Sequence, residues 1–538
     1  MAAAPSSPES PRNNRNVGFE EESVPLSHGS STNTRHKWIS RANRSRTDVL
    51  AHVESRAFRH ASIVKRPQAL HYKRIDEPNS NDLPLLERKP IRRMSNSSGS
   101  SGGDEEERST DDLIKQISRL DLFVDLVWIG IVANLSATFS EQAFTDSGVG
   151  IGPAILEFML LFVPIWRTWD HLRAFCINFF VDDILQRNFI VWILILSVLY
   201  GINAPFAFVA QDGKTSLSLL IVVYLMLRVS FLAANIAQAF FIPFLRRQAL
   251  FKFFATISSS ALWIAAIYVH YPGKIGFLIA ANAIEHPVDI FLASPIADHW
   301  LTPGWKRSTH IDHYVERHEG FFIIILGEGV FRLIEGSPSG WGLNERTGTV
   351  IIAMIMYYLL HWLYFNGDHT KQFVHALRRT WWKPVLWQAL HVFMFASILI
   401  LAASTLFLVE HQDAKIHQSD DAPTVERRAE EAEPAPKAAI FAIWSASVNV
   451  SCAIFFMTCI SLLNRPLDKP NTLLVNSRWM RIGGRLPIMV IICCLPLIES
   501  LTPSMWIGIV VCLLYAVSFW EWVAGLERNW KLLEAKDE

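Results

Sequence analysis

From Leu120 to Val523, predominantly apolar runs of about 18 to 25 residues follow one another, each closed by charges, Pro or Gly. A helix needs about 20 such residues to cross a hydrocarbon core about 30 Å thick. No backbone group can stay unpaired inside that core, so the spanning element is the helix. The pattern predicts an all-α integral membrane protein, a bundle of about twelve transmembrane helices over residues 119–525. Expected spans lie near 120–140, 151–171, 189–210, 216–241, 250–270, 275–294, 319–335, 348–366, 384–409, 440–463, 485–500 and 503–525. The stretch 485–500 is short and broken by Pro487 and Pro496, and either spans or re-enters.

Only 19% of the 538 residues are charged, and their formal sum is zero. Position says more than the sum, because Lys and Arg collect in cytoplasmic loops. Alternate connections carry Arg173 and Arg187, then Arg246 and Arg247, Lys306 and Arg307, Arg378, Arg379 and Lys383, and finally Arg465, Lys469, Arg478, Arg481 and Arg485. The intervening connections are weakly charged, apart from an acidic loop from Glu410 to Lys437. Both termini are therefore expected in the cytoplasm, with the acidic loop across the membrane.

Residues 1–118 contain no long apolar run and are rich in Ser, Asn, Pro and Arg. They are expected to form a disordered cytoplasmic tail and linker, whose removal to about residue 105 leaves the membrane domain folded. Residues 526–538 form a short C-terminal tail. No signal peptide precedes Leu120, so the first span is expected to direct insertion. Arg92-Arg93-Met94-Ser95 makes Ser95 a candidate kinase substrate, as Arg41 to Arg46 does Ser45; a solvated basic tail is the alternative. All six cysteines lie in or beside apolar helices, which implies no disulfide framework.

Polar residues inside the spans are the functional candidates, since burying them in hydrocarbon is costly. Asn282, Glu285, His286 and Asp289 fall on one helical face, where Pro287 is expected to interrupt the helix. Ion or substrate contact, a buried polar network and a zinc site are the three readings of that face. Arg228, near the centre of the fourth span, needs a carboxylate, and Glu285, Asp289 and Glu328 are the candidates. Arg228, Glu285 and Glu328 sit near the middle of their spans and are expected to meet at one site. Glu328, Arg332 and Glu335 share a face of the seventh span, with Arg332 placed to neutralise Glu328. Gly327 and Gly329 beside it offer close packing or a hinge. Asp121 and Asp125 are expected opposite Arg167, Asp170 or His171, as a structural ion-pair network, with catalysis as the alternative.

His310, Asp312 and His313, like His361, Asp368 and His369, lack a recognised zinc spacing. There is no Walker loop, Gly-x-Ser-x-Gly elbow, dinucleotide glycine pattern or His-Glu-x-x-His, so no catalytic residue, metal or cofactor is implied.

Three ordered elements carry a resemblance. They are Asp121-Leu122-Phe123-Val124-Asp125-Leu126, the pair Asp182-Asp183 before Leu185 and Arg187, and His313-x-x-Glu316-Arg317 followed by Ile323-Ile324-x-Leu326-Gly327-Glu328. Together they resemble the signature of the low temperature requirement A family of membrane proteins. Val124 stands where that signature has Phe, and Glu319 where it has Gly. The resemblance implies membrane placement and the positions of motif residues rather than an activity.

The reading these residues favour is a transporter or ion-conducting protein, with Asn282, Glu285, His286, Asp289, Glu328, Arg228 and Arg332 along the pathway. The alternative is a membrane-embedded enzyme or assembly scaffold, in which the same cluster is catalytic or structural. The partners implied are the lipid bilayer and a small ion or solute, and not nucleic acid. A cavity reaching Glu285 and Glu328 favours transport; a dry, fully paired cluster favours a scaffold; metal-ligand distances in an open cavity favour an enzyme.

Overall fold

The computed structural model describes residues 104–145, 148–179, 183–209, 215–303, 311–366, 373–412, 436–468, 471–498 and 500–528. The tail to residue 103 with Ser45 and Ser95, most of the acidic loop, and residues 529–538 lie outside them, as do Asp182, His310, Asp368 and His369. The apolar runs become α1 (Asp104–Phe144), α2 (Ile151–Phe179), α3 (Ile184–Asn203), α4 (Leu217–Phe241), α5 (Arg246–Tyr268) and α6 (Gly273–Leu292). They continue as a short α7 (Pro295–Leu301), α8 (Ile311–Ile334), α9 (Glu345–Asn366), α10 (Trp382–Glu410) and α11 (Pro436–Leu463). A short α12 (Arg478–Ile482), α13 (Arg485–Cys494) and α14 (Pro503–Ala524) complete the order.

Among the described residues, 11 helical segments are long and apolar enough to cross a membrane. The 24-residue α8 is as long, but its charged residues keep it out of that set. The segment containing α12 and α13 is interrupted at Gly483 and Gly484 and ends in a 3-10 turn at Leu495–Leu497. Helix starts follow local chemistry: Asp183 accepts from Gln186 N at 2.7 Å to cap α3, and Thr502 caps α14 ahead of Pro503.

Two expectations change. α1 begins at Asp104, so residues 104–118 are helical instead of linker. α6 runs unbroken through Pro287, because a proline removes only one backbone bond and neighbouring turns hold the rest.

α10 is the axis of the bundle, packed against α1, α8 and α11. Of its most apolar stretch 83% is buried, against 17% for α5 and for α6, so those two form the outer wall. α1 packs on α2 and α3, and contacts then pass along the chain from α3 to α6, while α2 turns inward to meet α4 and α6. Val222, Met226 and Val229 of α4 and Ile257 and Ile264 of α5 point outward, an apolar surface suited to lipid.

One end of the bundle is tied by its connections. β1 (Phe373–Val374) pairs antiparallel with β2 (Arg465–Pro466), and Ala376 N donates to Asn464 Oδ1 at 2.9 Å. Arg378 Nη2 reaches Asp312 at 2.8 Å, and Leu474 N donates to Leu526 O at 2.7 Å. The start of α8, the α9–α10 and α11–α12 connections and the end of α14 thus meet at one end. At the other, Thr349 Oγ1 donates to Gln412 Oε1 at 2.8 Å, joining the start of α9 to the end of α10.

Candidate functional site

The C-terminal halves of α2, α4 and α6 and the N-terminal halves of α5 and α10 enclose a cavity of about 560 Å³. All five half-helices belong to the end tied by the connections above. Glu285 stands at the cavity's inner end, in the middle of α6, and is 2% exposed. Its Oε2 accepts from Tyr224 Oη at 2.8 Å and lies 3.0 Å from Arg167 Nε; its Oε1 accepts from Trp263 Nε1 at 3.1 Å and meets Arg228. Two hydrogen-bond donors, Tyr224 and Trp263, and two guanidinium groups, Arg167 and Arg228, therefore converge from α2, α4 and α5 on one carboxylate, which is how a buried charge is compensated. Arg167 also turns Nη2 to Asp289 at 2.9 Å. His286 and Asp289 face the cavity, while Asn282, one turn earlier, gives its amide to Leu278 O.

Beyond Glu285 the path is closed. Tyr224 and Trp263 line a second void of only about 10 Å³, walled by Leu160, Leu161, Tyr200, Leu220, Ile221 and Leu278.

The motif residues build a different structure. Arg317 of α8 grips Asp125 of α1 with two guanidinium nitrogens at 2.7 and 2.8 Å, and Trp169 Nε1 of α2 donates to the same carboxylate at 2.8 Å. His313 Nε2 lies 3.2 Å from Asp121 and its Nδ1 lies 3.6 Å from Glu316. Ahead of the apolar part of α8, hydrogen bonding to Asp121 lifts the His313 pKa above the ordinary imidazole value. Asp121 and Asp125 do not pair with Arg167, Asp170 or His171 as expected: their ionic partners are on α8, because the register of α1 on α8 sets Asp121 against His313 and Arg317 and Asp125 against Arg317. Asp183, the described member of the Asp pair, is the α3 cap.

One turn of α2 joins the two systems. Trp169 serves Asp125, whereas Asp170 lines the cavity, contacts Arg173 and accepts from Gln388 Nε2 at 2.6 Å. Arg173 lies over the Tyr314 ring at 3.7 Å and approaches the wholly buried His318 at 3.3 Å.

Glu328 does not join Glu285. Its Oε1 is held by Arg332 Nε at 2.7 Å within α8, Arg332 also meets the Ala133 carbonyl of α1, and neither residue lines the cavity. Equal depth in separate spans did not bring them together, since an i,i+4 partner was already available on the same helix. The two glycines divide: a Cβ on Gly329 would stand 2.5 Å from the Tyr357 ring, while one on Gly327 would meet nothing within 4 Å.

Arg485, expected in a cytoplasmic loop, is fully buried and holds Glu521 through bonds of 2.6 and 2.8 Å. Its signal was Glu521, an acid inside the last apolar run that had no partner assigned. Tyr224 and Trp263 were also missed, as both read as ordinary span residues. All six cysteines are unbridged, and among the described residues no group of three or more His, Cys, Asp or Glu is placed to hold a metal ion.

Repeated apolar helices with buried ion pairs between them and outward apolar faces define a multi-pass integral membrane protein. Within that class, the family model described as bacterial low temperature requirement A protein matches residues 116–519, and the chain belongs to that family. No curated protein and no solved structure matches it.

Proposed function

We propose that the protein carries a small ion or solute across its membrane through the cavity bounded by α2, α4, α5, α6 and α10. The observation that supports this is a cavity of about 560 Å³ in one half of the bundle, with a wall of apolar and charged side chains, that reaches a buried Arg–Glu cluster with a small apolar void behind it. A cavity open to one side, ended by a site midway and sealed beyond, is the form an alternating-access carrier takes when it faces one compartment. Cytoplasmic basic loops would make that compartment the cytoplasm. The paired motif network is the part that fits a scaffold, holding α1, α2 and α8 together around Asp125.

The test is flux into proteoliposomes holding the full chain, screened across protons, metal cations and small organic ions. Ala255 lines the cavity, so Ala255→Cys supplies a reporter: a membrane-impermeant thiol reagent should reach it from one side and block flux. Folded protein that moves none of these species would leave the scaffold or enzyme reading in place of this one.

A further inference from the structure

The end of the bundle tied by its connections brings three cations together. Arg379 lies late in the α9–α10 connection, Lys383 is the second residue of α10, and Arg465 opens β2 just after α11. Arg379 and Arg465 stand near enough to Lys383 for their charges to repel it. The ties hold them there. Val374 of β1 is paired with Arg465, Ala376 N donates to Asn464, and Arg379 Nη1 donates to Leu463 O at 2.7 Å, at the end of α11. Arg378 beside them has Asp312 at 2.8 Å, but Arg379, Lys383 and Arg465 form no ion pair among the described residues.

Like charges fixed side by side repel, and an anion placed among them relieves that cost. Lys383 stands where the most apolar span begins, so the cluster lies at the level of lipid headgroups. Trp381, Trp382 and Leu386 on the α10 side and Leu467 on the β2 side are exposed, an aromatic and apolar rim of the kind the membrane interface accepts. Lys383 Nζ lies 5.4 Å from the centre of the Trp382 ring, which joins the rim to the cations. Guanidinium and ammonium groups both pair with phosphate oxygens, and phosphate is the anion found at this depth. We propose that Arg379, Lys383 and Arg465 bind the phosphate of an anionic phospholipid in the leaflet at this end, with its chains against Leu386. None of the three cations lines the cavity, so the assignment is independent of the transport reading.

Binding of pyrene-labelled phosphatidylglycerol to the full-length protein in mixed detergent micelles, read by energy transfer from tryptophan, tests this. Unlabelled phosphatidylglycerol should displace the probe at concentrations about tenfold or more below those of phosphatidylcholine. Replacing Arg379 threatens the fold, since it also closes the end of α11, so the informative variants are Lys383→Gln and Arg465→Gln. Each should weaken phosphatidylglycerol about fivefold. Arg247→Gln removes an exposed cation from the same end, away from the cluster, and should leave the affinity unchanged. A site is thereby told apart from a basic face that attracts lipid everywhere. Absence of saturable probe binding, equal displacement by phosphatidylcholine, or equal effects of Lys383→Gln and Arg247→Gln would overturn the assignment. So would displacement by glycerol 3-phosphate as effective as that by the lipid, which would make the ligand a soluble phosphate.

Discussion

Arg317 and Asp125 form the most completely matched ion pair of the motif, two nitrogens on two oxygens with Trp169 as a third donor. Removing one charge leaves the other stranded in a low-dielectric site, so Asp125→Asn should cost about 3 to 5 kcal/mol. Thermal unfolding in detergent checks this, and the double variant Asp125→Asn with Arg317→Met should recover part of the loss. Gly329→Ala should cost about 1 to 3 kcal/mol, since the Tyr357 ring must move, whereas Gly327→Ala should fall within about 0.5 kcal/mol of the wild type in the same assay. At this scale the sequence was readable where depth and charge sufficed: Arg228 needed an acid, and Glu285 was among three candidates. It was unreadable where helix rotation decides. Asp125 has several cations at its depth, and only the register of α1 against α8 selects Arg317. Arg485 was misplaced because a broken segment gives no period from which to judge its inward face.

Among the elements, α2 and α8 carry the logic of the bundle. α2 turns one side to the cavity through Arg167 and Asp170 and offers Trp169 to the motif network, so the two share a rigid piece of backbone. α8 enters the bundle through His313, and here stability depends on pH. Folding raises the imidazole pKa, so the fold favours the protonated form. The contribution is complete below the ordinary imidazole value of 6.5 and is lost as pH rises through the higher folded value. Partial exposure and screening keep it below about 1 kcal/mol. Melting temperature should thus fall over that window in the wild type, relative to His313→Gln, in which this step is absent; identical slopes for the two proteins would discard the argument. Helix identities were legible from apolar run length alone. The continuity of α6 was not, because a proline reports a lost donor without reporting what the neighbouring helices supply.

For the whole molecule, the ties between connections make a labelling prediction. Single cysteines at Asn471 and Ser477, near the α11–α12 connection, should react with an impermeant thiol reagent from the same side as one at Arg378, and one at Asn344 from the opposite side. Agreement between Asn344 and Arg378 would overturn the order of crossings. Basic-residue alternation anticipated this grouping because it depends only on which connections alternate, while the order in which helices pack laterally leaves no mark on composition. The burial of α10 has a consequence for how the chain is made. α10 is the most apolar of the eleven candidate spans, yet it is the one most enclosed by protein. Its hydroxyls need no neighbour: Ser397, Ser404 and Thr405 each donate to the carbonyl four residues back, at 2.8, 2.8 and 2.7 Å. A newly synthesised α10 is therefore content in bare lipid when it leaves the insertion machinery, and it can wait there. Only when α11 follows does Ser404 gain Ser445 at 2.9 Å, so the centre of the finished protein is set in place late, by a helix equipped to survive alone until its enclosure arrives.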